Sequence, residues 1–168
     1  MDPMQDNSFP WWPKLLKQML DDPKCNEIKI YPFLKREWGC ETKNVKYPDR
    51  HHSDWDAYAD LRGDDFVAEV KYWQGGNDYP TKIYGDIVKL FHHEPHLRKY
   101  VVILSIVKDK DRPDFNESTW EEDLEGAFGV MKDCGVEVVF GKAGHEANGG
   151  FWACAAILQV SKPVSVKP

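Results

Sequence analysis

An acidic residue followed two positions later by lysine occurs four times in this chain, the last time at Glu69 and Lys71. This last pair lies in a segment whose β-branched and aromatic residues predict a strand. Because alternate side chains of a strand project from the same face, Glu69 and Lys71 are expected to point together. A carboxylate beside an ammonium group can hold a metal ion and stabilise charge that develops on a phosphate.

A second acidic strand precedes this pair along the chain. Asp54 leads into residues 56–61, which predict a strand, and residues 62–65, Arg-Gly-Asp-Asp, predict a turn. Residues 66–73 predict the returning strand. The sequence therefore predicts a β-hairpin that carries acidic side chains on both of its arms.

The turn sets which side chains of the hairpin meet. If the four-residue turn pairs Leu61 with Phe66, the antiparallel register places Asp56 opposite Lys71. Glu69 lies on the same face of the returning strand as Lys71. Two carboxylates and one ammonium group are then expected to converge.

This cluster offers the ligands that Mg²⁺ prefers, with Mn²⁺ as a substitute. The carboxylates of Asp56 and Glu69 and the backbone carbonyl of Val70 would hold the ion. A bound divalent ion polarises a phosphate and lowers the pKa of a bound water, and Lys71 could orient that water or offset developing charge. The predicted chemistry is phosphodiester hydrolysis.

The segment SDWDAYADLRGDDFVAEVKYW resembles the core hairpin of the PD-(D/E)XK nuclease superfamily, which includes restriction and repair endonucleases. The resemblance implies that Asp56 is the first metal-binding aspartate, Glu69 the second acidic ligand and Lys71 the catalytic lysine. It also implies a catalytic role for Glu27, at the position of the glutamate that many members carry on their first helix.

The hairpin departs from the family pattern at its first acidic position. Trp55 stands where members usually have proline, so Asp54 remains an alternative to Asp56 as the first ligand. Glu27 could equally be a charge that the helix dipole favours at a helix start, with Glu37 as the fallback. The whole cluster could also be a solvated hairpin face with cross-strand ion pairs.

The remaining elements follow from hydrophobic periodicity and from turn residues. Helices are predicted at 14–20, 27–38, 83–91 and 118–134, the last with Ser118 and Glu121 as a capping box. Further strands are predicted at 44–47, 100–107, 136–140 and 151–160. This order indicates an α/β fold in which helices flank a mixed central sheet.

One domain over residues 1–168 is expected from the length of the chain. Residues 1–26 are a lead-in, and 27–107 match the restriction endonuclease-like αβββαβ core of the resembling family. Residues 108–168 supply a C-terminal helix and two strands that complete the sheet.

The composition of the chain indicates where the protein resides and what it can bind. No segment has the apolar length of a membrane span or a signal peptide, and the four cysteines lack paired spacing, so a cytoplasmic protein without a membrane partner is expected. The resemblance favours DNA over RNA as substrate, and cleavage of both strands favours a homodimer. Four cations on or after the helix that follows the hairpin suit a rim that contacts phosphates or an ordinary solvated face: Lys82, Lys89, Arg98 and Lys99.

The net charge of −6 is unfavourable for a protein that binds a polyanion. It supports an alternative in which the domain keeps this fold as a non-catalytic nucleic-acid-binding or assembly module.

Overall fold

A computed structural model of the chain describes residues 11–46, 58–91, 96–147 and 149–161. The helices are α1 (Trp12–Asp21), α2 (Glu27–Trp38), α3 (Thr81–Phe91) and α4 (Glu117–Phe128), with a 3₁₀ helix at Gly129–Cys134. The strands are β1 (Glu41–Lys46), β2 (Tyr58–Arg62), β3 (Phe66–Tyr72), β4 (Arg98–Lys108), β5 (Val136–Glu146) and β6 (Phe151–Val160). They form a six-stranded sheet in the order β1-β2-β3-β4-β6-β5. Only β3 and β4 pair in parallel, so the described sheet is mixed, as predicted.

The sheet is covered by helices on both faces. Along β4, Val102 and Leu104 pack into the core beneath α1 and α2, whereas Val101 and Ile103 pack beneath α3 and α4. A strand with apolar side chains on both faces is stable only when both faces are covered. The apolar run that begins at Tyr100 therefore lies in the middle of the fold.

Local signals fix the ends of α2, the helix that carries Glu27. The Asn26 side chain caps its start by accepting a hydrogen bond from the Lys29 amide, and Gly39 ends it in the left-handed region at φ 58°. Pro32 lies inside the helix without breaking it. The predicted bounds 27–38 are confirmed.

Two local predictions were wrong. The capping box at Ser118 and Glu121 is replaced by Asn116, whose side chain accepts from the Thr119 amide, so α4 begins at Glu117. β5 continues beyond Phe140 to residue 146, because its pairing with β6 carries it through two glycines.

The register of the hairpin also differs from the prediction. Leu61 pairs with Ala68, not with Phe66, because the turn lies one residue later. The Gly63 amide donates to the Phe66 carbonyl at 3.1 Å, and the buried Phe66 ring lies where a Cβ at Gly63 would stand. Only glycine leaves that space for the ring.

None of the helices in the described parts of the chain has the length and apolar character needed to cross a bilayer.

Candidate functional site

The candidate site lies between β2 and β3, at Asp60 and Glu69. We call this place the fork. Leu61 and Arg62 pair with β3, and continuing that register by one residue sets Asp60 opposite Glu69. There the Asp60 side chain binds the edge of β3, because its Oδ2 accepts a hydrogen bond from the Val70 amide at 2.8 Å.

The pairing of β1 with β2 is irregular next to Asp60. The pairing of β1 with β2 shifts register between Thr42 and Val45, opposite the step from Leu61 to Ala59. Ala59 then packs with the core beneath α3 and α4, whereas Leu61 packs with the core on the other face. Bulges of this kind commonly redirect a side chain next to a functional site.

Glu69 is the buried member of the carboxylate pair, with 1% of its surface exposed. Burial, together with the neighbouring Asp60 carboxylate, raises the pKa of Glu69 to about 8, although Lys89 acts in the opposite direction. The buried carboxyl group of Glu69 therefore binds its proton more tightly than a solvated glutamate does. A cation that entered the fork would displace that proton.

Two lysines approach the pair from the side of α3. Ile83, Ile87 and Leu90 bury one side of this helix, which brings the neighbouring Asp86 and Lys89 over β3. The Lys71 ammonium lies 3.3 Å from Asp86 Oδ2. The Lys89 ammonium lies 2.9 Å from Glu69 Oε1 and 3.2 Å from Asp86 Oδ1.

Carboxylates surround the Lys71 ammonium. Burial lowers the pKa of Lys71, but Asp86, Asp60, Glu27 and Glu69 together raise it above its usual value. Lys71 is therefore charged at physiological pH, and about a quarter of its side chain is exposed. Glu69 and Lys71 both reach α3, so they share one face of β3 as the sequence predicted.

Glu27 reaches the same stretch of β3 from the start of α2. Its Oε1 accepts a hydrogen bond from the Tyr72 amide at 2.9 Å, one position beyond Lys71. Glu37 lies about 15 Å away along the helix axis and pairs with Arg36, so it does not approach the fork. The structure thus brings Glu27, and not Glu37, to the predicted site.

The other predicted ligands are Val70, Asp54 and Asp56, and the structure describes only the first of them. Val70 lies between Glu69 and Lys71, with its side chain in the core and its amide bound to Asp60. Asp54 and Asp56 lie outside the described residues. Within the residues that the structure describes, no group of three or more His, Cys, Asp or Glu side chains is placed to share a metal ion. The fork itself offers two carboxylates, which fits a hard divalent ion that keeps several waters and takes substrate oxygens.

Sequence reasoning missed Asp60 and Asp86. Asp60 lies two residues after Tyr58 on the face that was expected to carry the site, and a turn over 63–66 would have set it opposite Glu69. No periodicity singled out Asp86, since its role depends on how α3 packs over β3. Lys89 was expected to face phosphate or solvent, but it pairs with Glu69 and Asp86.

A groove of about 470 Å³ lies beyond the carboxyl end of β3, past Lys71. Gln74 and Asn77 line it together with Lys108 and Arg112. Arg112 is held by Asp123 at 2.7 Å, and Asp123 also accepts from the Gly76 amide, so the glycine loop is fixed in place.

The chain matches no protein-family model, and no curated protein or solved structure is significantly similar to it. The resemblance to PD-(D/E)XK nucleases therefore depends on the hairpin residues of the sequence.

Proposed function

We propose that this chain is a metal-dependent nuclease of the PD-(D/E)XK type, which hydrolyses phosphodiester bonds in DNA. The observation that carries the proposal is the convergence of Asp60 and Glu69 in the fork, with Lys71 beside Glu69 on the same strand. The mixed sheet with helices on both faces is compatible with the restriction endonuclease-like arrangement.

The charges of the cluster favour a divalent cation. Glu27, Asp60, Glu69 and Asp86 supply four carboxylates against the two ammonium groups of Lys71 and Lys89, which leaves a formal charge of two negative once Glu69 is ionised. A divalent ion would neutralise this charge. An ordinary ion-paired hairpin face gains nothing from burying a carboxylate whose pKa rises to about 8.

Each residue has a distinct role in the proposed reaction. Asp60 and Glu69 would hold Mg²⁺ or Mn²⁺, with the Val70 carbonyl as a further ligand and Asp56 as a candidate for another. The bound ion would polarise the scissile phosphate and acidify a water. Lys71 would orient that water and offset charge on the phosphate, and Glu27 would hold the strand at Tyr72 so that Lys71 stays in position.

The test is a pair of matched substitutions in one hairpin. Asp60→Asn removes a charged ligand but keeps an oxygen that can accept from the Val70 amide, so the fold should survive. Asp64→Asn makes the same change at an exposed turn residue. We expect Asp60→Asn to lose at least ~100-fold in plasmid cleavage and to bind Mn²⁺ weakly in calorimetry, and Asp64→Asn to match wild type.

A labelled RNA, assayed beside the plasmid, separates the two substrates. Cleavage by the Asp60→Asn protein at the wild-type rate would exclude Asp60 as a ligand, and the same substitution at Asp56 would then identify the first aspartate. If the wild-type protein cleaves neither nucleic acid with either metal, the non-catalytic alternative replaces the nuclease.

A further inference from the structure

Lys89 is the lysine whose ammonium forms an ion pair with the buried carboxylate of Glu69. Its ammonium lies 2.9 Å from Glu69 Oε1, while the Lys71 ammonium is directed to Asp86. Asp86 joins the two lysines, because its Oδ1 lies 3.2 Å from Lys89 and its Oδ2 3.3 Å from Lys71. The two lysines therefore differ in position, and the role assigned to Lys71 does not account for Lys89.

The position of Lys89 conflicts with a metal ion on Glu69. An ion that took Glu69 Oε1 as a ligand would share that oxygen with the ammonium. Like charges separated by about 5 Å repel strongly where burial limits screening by solvent and salt. Glu69 is 1% exposed, so little water intervenes at this oxygen.

The side chain of Lys89 has room to move away from Glu69. About a third of it is exposed, at 32%, and four rotatable bonds separate the ammonium from the helix. Asp86 lies one helical turn before Lys89 on α3 and already forms an ion pair with it. Lys89 can therefore withdraw from Glu69 and keep a partner.

We propose that Lys89 is the counter-ion of the metal-free site. When no metal is bound, its ammonium occupies Glu69 Oε1 and offsets the negative charge of the carboxylate cluster, and it moves from Glu69 to Asp86 as a divalent ion enters the fork. Lys89 thereby competes with the metal and weakens its binding. This inference rests on the proposed function, since it takes Asp60 and Glu69 as the metal ligands.

The test compares two lysines of the same helix. Lys89→Met keeps the aliphatic stem but removes the competing charge, so the dissociation constant for Mn²⁺ should fall at least ~10-fold in calorimetry. Lys82→Met removes an equal charge from an exposed position of α3 and should leave the dissociation constant within about twofold of wild type. Lys89→Gln provides a second neutral variant in case the methionine protein fails to fold.

Thermal unfolding gives an independent readout on the full chain. Without metal, Lys89→Met should melt below Lys82→Met, because Glu69 loses its counter-ion, and saturating Mn²⁺ should raise its melting temperature more than it raises that of Lys82→Met. Unchanged or weaker Mn²⁺ binding in both Lys89 variants would overturn the counter-ion role while the nuclease stands. A wild-type protein that binds neither Mn²⁺ nor Mg²⁺ at millimolar concentration would remove both proposals.

Discussion

Lys71 combines a half-buried aliphatic stem with an ammonium group that faces four carboxylates. In the proposed reaction the metal is held by other residues, so the ammonium acts on the water and on the charge of the phosphate. Residues that hold the ion and residues that act on the phosphate should therefore fail in different ways when they are replaced.

Lys71→Met separates these two roles. Metal binding should persist in calorimetry, while single-turnover cleavage of plasmid DNA should drop at least ~100-fold, the scale of losing one transition-state stabiliser. Lys110→Met, at an exposed position after β4, controls for the loss of one positive charge. If the folded Lys71→Met protein cleaves at the wild-type rate, Lys71 has no part in the reaction.

Glu69 should make the metal-free protein sensitive to pH. Its folded pKa of about 8 lies above the ordinary glutamate value of 4.5, so the folded state binds more protons than the unfolded state between these values. The free energy of unfolding should therefore fall as pH rises, by about 3 kcal/mol between pH ~5.5 and ~8.5 from this group.

Glu69→Gln isolates that contribution, since glutamine resembles the protonated acid and does not titrate. Urea unfolding in the presence of a chelator, at the two pH values, should show a smaller fall for the variant than for wild type. Equal falls in the two proteins would mean that Glu69 titrates normally in the folded state.

At the scale of elements, the turn at Gly63 controls which residues of the hairpin meet. The buried Phe66 ring occupies the space next to the Gly63 Cα, and this turn sets Asp60 opposite Glu69. A side chain at Gly63 must displace either the ring or the strand register. The position of the first aspartate therefore depends on a residue that carries no functional group.

Gly63→Ala should destabilise the protein by about 1–3 kcal/mol, the usual cost of overpacking, and should weaken Mn²⁺ binding. Gly85→Ala is the matched control, because Gly85 lies inside α3 with nothing within 4 Å of an added Cβ. It should stabilise the protein by about 0.5–1 kcal/mol through helix propensity. Urea unfolding measures both changes, and equal stability of the two variants would contradict the overpacking at the turn.

At the scale of the whole molecule, one fork per chain would cut one strand at a time in the proposed reaction. Cleavage of both DNA strands then needs two chains or two successive nicks, and we expect a symmetric dimer. Light scattering should give twice the mass of one chain. A supercoiled plasmid should become linear without accumulation of nicked circles, whereas a monomer that nicks first would contradict the dimer.

The net charge of −6 is also a property of the whole molecule. The carboxylates of the fork contribute to it, and a bound divalent ion would offset part of it, but the rest must be overcome by local positive charge. Lys108 and Arg112 border the groove beyond the carboxyl end of β3.

The sequence alone determined the elements whose signals are local. The periodicity of 27–38 predicted α2, the apolar run after Tyr100 predicted a strand buried on both faces, and the alternation at 69–71 placed Glu69 and Lys71 together. Each depends on residues a few positions apart, so the pattern of apolar side chains is enough. The mixed sheet followed from the order of these elements.

Only the tertiary structure decided which side chains meet. The choice of Asp60 depends on a turn shifted by one residue and on a bulge in β1, and antiparallel register changes partners with each such shift. Asp86 and Lys89 join the site through the packing of α3 over β3, and Glu27 joins it through a hydrogen bond to a residue 45 positions away. Contacts of this kind are set by how whole elements pack, because no local pattern in the chain encodes the distance between two elements.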